Sequence, residues 1–149
     1  MGRRLISLVK KPLVAEAADL APGYIQHLQV GDVAFLHLHL PSSNDSVLRG
    51  RLLAESLRPT LDEAGRQLPI VVGDFNCVFQ PSDVEANFNH KTFPGLRDLL
   101  HLHHYTAAFL HLHPHHPHPF TFHHLGATAS RFIRAYIPPV MSGAILHLG

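Results

Sequence analysis

The sequence has no tryptophan, two methionines and a single cysteine, Cys77, in 149 residues. One cysteine excludes an internal disulfide and fits a reducing compartment. It follows an apolar run directly, which suits a small buried apolar side chain. Charged residues make up only 15% of the chain, and the net charge is +1 with histidine neutral. No strong electrostatic field therefore marks the chain as nucleic-acid binding. No apolar run approaches the roughly 18 residues that a membrane helix needs. The stretch from Met1 to Lys11 has basic flanks, but its apolar centre is too short for a signal peptide. Ile6 stands where a myristoylation signal carries serine or threonine. These absences predict an intracellular protein, cytoplasmic or nuclear, with no membrane partner and no small-molecule cofactor evident.

What is present is a globular composition, 46% hydrophobic, in a length that suits one domain over residues 1–149. Histidine is the oddity: there are 15, ten of them between His101 and His124. Residues 111–119 alternate histidine and proline, and the prolines bar a helix or central strand there. This His-rich loop is a candidate chelator for Zn²⁺, Ni²⁺ or Cu²⁺, with no cysteine or carboxylate ligand beside it.

The elements read as a mixed α/β pattern. Residues 3–9 suggest a short strand, and the Ala-rich residues 13–21 a loop or weak helix. Tyr24–Val30 and Val33–Leu40 flank the turn pair Gly31-Asp32 as a β-hairpin. His37 and His39 share one face of its second strand, where two imidazoles could hold a metal or line the polar side of an edge strand. Residues 46–64 form the clearest helix, capped at Ser43, Asn44 or Asp45. Val47, Leu48, Leu52, Leu53, Leu57 and Leu61 recur at three- and four-residue steps, with Arg49, Arg51, Glu55 and Arg58 opposite and Pro59 a potential kink. A second short helix begins at Pro94-Gly95. Phe120–Phe122, Ser130–Ile137 and Ala144–Leu148 read as β-type segments.

The chain is organised around Pro69-Ile-Val-Val-Gly-Asp-Phe-Asn-Cys. Ile70, Val71 and Val72 read as a strand buried on both faces, and Gly73 permits a tight exit. Asp74 and Asn76 then emerge together at a sheet rim, an acid and an amide suited to handling a water and a phosphate oxygen.

Gly73-Asp74-Phe75-Asn76 resembles the Gly-Asp-Phe-Asn signature of the endonuclease/exonuclease/phosphatase superfamily. Leu36–Pro41 lies where that family has a strand ending Asn-x-Tyr-x-Pro. Phe120-Thr121-Phe122 and Ser130-Arg131-Phe132-Ile133-Arg134 resemble its later Phe-Thr-Trp and Ser-Arg-x-Asp-Arg motifs. Asp83-Val84-Glu85 and Leu96-Arg97-Asp98-Leu99 are similar to the endonuclease domain of LINE-type (non-LTR) retrotransposons. The resemblance runs from about residue 22 to residue 149. It implies a DNase I-like four-layer α/β sandwich that cleaves phosphodiester bonds of DNA with Mg²⁺. Asp74 would orient or deprotonate the attacking water, Asn76 would bind the phosphoryl oxygen, and His39, at the family's tyrosine position, would reach a phosphate. Thr121, Ser130 and Arg131 would touch substrate.

Departures from the pattern imply a degenerate copy. The motif asparagine falls at His37, and the aspartate of Ser-Arg-x-Asp-Arg at Ile133. Ser142-Gly143-Ala144 occupies the place of the terminal Ser-Asp-His. The family's metal-binding glutamate would lie upstream of this chain, so the sandwich is expected to be incomplete, with a sheet edge or face uncovered. Asp83 and Glu85 are the carboxylates closest in sequence that could complete a metal site. Weak or absent Mg²⁺ binding follows. The alternatives are a non-enzymatic nucleic-acid or protein interaction module, or a His-rich metal binder.

Overall fold

The computed structural model describes residues 15–42, 44–83, 92–115, 121–123, 129–130 and 133–145. Its frame is a mixed six-stranded sheet with helices packed against it. In chain order come β1 (Ala15–Ala21), β2 (Ile25–Val30), β3 (Val33–His39), β4 (Ile70–Asp74), β5 (Thr106–Ala107) and β8 (Ile133–Ile137). β6 (Phe122–His123) and β7 (Ala129–Ser130) pair separately as a two-stranded ribbon. The six-stranded order is β1-β2-β3-β4-β8-β5, antiparallel throughout except for the parallel pair β3–β4.

The predicted hairpin is present, turning at Gly31 with φ 56°. The predicted weak helix or loop before it is instead β1, which pairs with β2 along the far side of the hairpin. Alanine's helix propensity loses here to the ladder hydrogen bonds that β2 offers. β3 is interior rather than an edge, because β4 lies on its other side.

One sheet face is dry. Leu36, Leu38, Val71 and Tyr136 pack with helical Leu52, Leu57, Leu61, Leu96, Leu99 and Leu100 in one core. The helices are α1 (Ser46–Leu52), a π-helical turn (Leu53–Leu57), α2 (Arg58–Ala64), α3 (Pro94–Leu102), α4 (Ala108–Leu112) and α5 (Pro139–Ile145). Asp45 is the cap of α1, its Oδ1 accepting from the Leu48 N–H at 3.1 Å. The chain passes from α1 through the π turn into α2 without a break, and Pro59 sits at the start of α2. Proline has no N–H to donate, and the wider π turn just before it absorbs the missing bond.

Three sequence expectations are corrected. β4 is buried on one face only: Val71 and Gly73 are buried, whereas Ile70, Val72 and Asp74 are half-buried. The expected single strand over residues 130–137 is divided, with Ser130 ending β7 in the small ribbon and β8 starting at Ile133 in the main sheet. Of the β-type run expected over Ala144–Leu148, Ala144 and Ile145 instead close helix α5, which begins at Pro139 with its preset helical φ, and residues 146–148 lie outside the described residues. Within the His-rich segment, His111 and Leu112 close helix α4, and His113–His115 follow it. The strand expected over residues 3–9, residues 116–119 of the His-rich loop, and Phe120 lie outside the described residues.

Candidate active-site rim

The parallel pairing of β3 with β4 and the antiparallel pairing of β4 with β8 set one row across three strands. Asp74 stands opposite His39 on one side and opposite Ile133 on the other. Directly paired residues share a sheet face, so these three side chains project together from the half-exposed face. His37, Val72 and Ala135 form the next row behind them. Burial lowers the His37 pKa, and its neighbour His39 lowers it further.

Two backbone features bring the strands to this register. Gly73 has φ 139°, and a Cβ there would lie 2.0 Å from the Leu38 carbonyl oxygen. Only glycine lets β4 approach β3 so closely. Beyond the strand, Asn76 adopts a left-handed conformation with φ 45°. Its N–H donates to Asp74 Oδ1 at 2.9 Å, and its side-chain Nδ2 donates to the Leu40 carbonyl at 2.7 Å. The Leu40 N–H in turn donates to the Asp74 carbonyl at 2.9 Å. Asp74 and Asn76 thus sit in one hydrogen-bonded turn, and one of the two Asn76 amide hydrogens is already engaged.

Beneath the rim lies a buried polar frame. Arg49, placed by its sequence on the solvent side of the helix, is only 3% exposed. Its Nε donates to the Pro41 carbonyl at 2.9 Å and its Nη2 to the Asn76 carbonyl at 2.6 Å, while the guanidinium lies 5.2 Å from the Phe93 ring centroid. Burial lowers its pKa, and the neighbouring Cys77 opposes that shift. Arg134 is also buried; it reaches the Cys77 carbonyl at 3.2 Å and Asp83 Oδ2 at 2.8 Å. Asp83 Oδ2 also accepts from the N–H groups of Phe79 and Gln80. Cys77 is fully buried, and burial pushes its thiol up to about 12.

These contacts settle what Asp83 can do. It is wholly buried and bound to a guanidinium and two amides, so it does not complete a metal site at the rim. Ile133 has no oxygen to offer, and it is 56% exposed. Among the described residues no three His, Cys, Asp or Glu side chains converge to hold a metal ion. The donor set there, one carboxylate, does not fit a Mg²⁺ centre that relies on hard oxygen ligands. Glu85 lies outside the described residues. Thr121 is bound within the chain, its hydroxyl accepting from the Ile133 N–H at 3.0 Å. Ser130 lies in β7 opposite Phe122, and Arg131 lies outside the described residues. Beside the row, an apolar hollow of about 300 Å³ is lined by Val72, Phe109, Thr121, Ile133 and Ala135, among others.

The sequence pointed to Asp74, Asn76 and His39, and two of them, Asp74 and His39, share a row. It missed Arg49, although a signal was present: position 49 precedes Leu52 by three residues and Leu53 by four, which places it on the apolar stripe. Val47, counted with that stripe, is 75% exposed.

No protein-family model matches the sequence, and no curated protein matches it. Solved structures do match. The 3′ phosphatase NExo from Neisseria, bound to product DNA hairpin, is 18% identical with a TM-score of 0.68, over 91% of this chain and 61% of that one. An AP endonuclease from Archaeoglobus fulgidus is 16% identical with a TM-score of 0.65, over 81% of this chain and 55% of that one. The endonuclease domain of TRAS1, a telomere-specific non-LTR retrotransposon, is 13% identical with a TM-score of 0.59, over 89% of this chain and 58% of that one. The chain thus spans little more than half the length of these structures. No helix among the described residues is long and apolar enough to cross a membrane. Over that span, the chain has the DNase I-like α/β fold that these structures share.

Proposed function

We propose that the rim formed by His39, Asp74 and Asn76 is a phosphodiester-recognition site for DNA, of retrotransposon-endonuclease ancestry, whose hydrolytic chemistry is degenerate in this chain. The observation that carries the reading is the row His39–Asp74–Ile133. It keeps an acid where a water would be activated and sets a hydrocarbon where that acid needs a partner. In the relatives of this fold Mg²⁺ would supply charge neutralisation at the scissile phosphate. The described residues, with one carboxylate at the rim, do not fit it.

What remains chemically is recognition. The second Asn76 amide hydrogen is a neutral donor beside the rim, and His39 offers a ring nitrogen that can meet a phosphate oxygen. Without a cation, Asp74 opposes an approaching phosphate rather than assisting it. This makes a signed test possible. Fluorescence anisotropy with a labelled DNA duplex, in EDTA and low salt, should show weak binding, with Kd on the order of 10⁻⁴–10⁻⁶ M. Asn76→Ala should weaken it by about tenfold, the value of a hydrogen bond to a charged group. Asp74→Asn should tighten it. Binding that is unchanged in both variants would remove the rim from DNA recognition.

A further inference from the structure

We propose that Arg49 is a positioning residue for this rim: its buried guanidinium ties the loop leaving β3 to the loop leaving β4, and so sets where the Asn76 amide points. The inference rests on the reading of the rim as a phosphodiester site, and the geometry beneath it is independent of that reading. Two donors of one planar group go to two different loops, Nε to the Pro41 carbonyl and Nη2 to the Asn76 carbonyl. A lysine ammonium on its flexible stem does not hold two acceptors in such a fixed fork. The guanidinium carbon lies over the Phe93 ring, 5.2 Å from its centroid, within cation–π range.

Asn76 needs this support because its φ of 45° lies in a region that asparagine tolerates only at a cost. Three bonds over-determine the conformation: its N–H to Asp74, its side chain to Leu40, and its carbonyl to Arg49. On the next peptide, Arg134 takes the Cys77 carbonyl from the β8 side. Consecutive carbonyls of one turn are therefore gripped by guanidinium groups from a helix and from a strand. Helix α1, whose Asp45 cap closes the loop after Pro41, thereby joins the two rim loops into one unit.

A merely structural arginine would loosen the whole fold when altered, whereas a positioning arginine loosens the rim first. Amide hydrogen exchange on the full chain separates the two. In Arg49→Lys, protection of the Asn76 amide should fall by about tenfold or more relative to the Val71 amide inside β4. Leu48→Ala, a half-buried change one residue earlier on the helix, should lower both amides in the same ratio. An equal loss at Asn76 and Val71 in Arg49→Lys overturns the proposal. If Arg49→Lys does not fold, Phe93→Leu decides: it removes the ring under the guanidinium and lets the group tilt away from the two carbonyls, so a selective loss at Asn76 supports the proposal, while an equal loss or no loss overturns it. In the anisotropy assay, Arg49→Lys should weaken DNA binding as much as Asn76→Ala does, and the double change should add nothing. Should the wild type fail to bind DNA, the reading of the rim falls, and the exchange ratio still decides the role of Arg49.

Discussion

Gly73→Ala probes the junction on which the rim depends. The added Cβ would lie 2.0 Å from the Leu38 carbonyl oxygen and 2.9 Å from two further backbone atoms of Leu38. Those atoms belong to an interior strand and cannot swing aside as a side-chain tip can. The φ of 139° adds backbone strain of about 1–3 kcal/mol for any other residue. Forcing the strands apart costs about 1–3 kcal/mol more, as overpacking does. The sum, about 2–6 kcal/mol, is a large part of a total stability of about 5–15 kcal/mol. With a urea slope of about 2 kcal/mol/M the midpoint should fall by about 1–3 M. Gly50→Ala is the matched control: it lies in α1 with nothing within 4 Å of the added carbon. There the same chemical change should stabilise by about 0.5–1 kcal/mol, because alanine is the better helix former. Urea titrations followed by circular dichroism read both. A Gly73→Ala midpoint equal to wild type would refute the close β3–β4 approach and the register built on it.

Further predictions concern the buried frame. Asp83→Asn leaves Arg134 without its carboxylate in a buried site and should cost about 3–5 kcal/mol by thermal or urea unfolding. Asp45→Ala removes the α1 cap and should cost about 1 kcal/mol, with no larger loss at the rim than elsewhere. Burial raises Cys77 from its ordinary 9.0 to about 12 and Tyr136 from 10.0 to about 12. Above pH 9 the unfolded chain loses these protons before the folded chain does, so stability should fall as pH rises from 9 towards 12. Cys77→Ala should flatten the first part of that fall by up to about 1.4 kcal/mol per pH unit, measured as urea midpoints at pH 8, 9 and 10. An unchanged slope would mean that the thiol is not shielded in the folded protein.

Strand periodicity and turn chemistry carried the hairpin, β4 and the helical region, because each has a local signal: Gly31-Asp32, Gly73 and the leucine steps. β1 was illegible for the opposite reason. Its Ala-rich sequence has no strong preference, and its pairing with β2 is a tertiary fact. The division between β7 and β8 was likewise hidden, since Ser130 and Ile133 lie in one apolar-polar run and part company only through their pairing partners. At the rim, Asp74 was visible through its motif, and the row it forms with Ile133 follows from sheet register. For Arg49, charge points to the solvent side of the helix and helical position to the buried side, and position prevails. A buried arginine with its donors on carbonyls of distant loops cannot be told from a surface arginine until those loops are placed.

On the proposed reading, the rim holds the Asp74 carboxylate without, among the described residues, the further oxygen ligands that hydrolysis with a divalent metal requires. Nicking of supercoiled plasmid with Mg²⁺ or Mn²⁺, comparing wild type with Asp74→Ala, tests it most directly. Both proteins should show the same background conversion. Nicking by the wild type that Asp74→Ala abolishes would contradict it, and would mean that oxygen ligands beyond the described residues complete a working metal site.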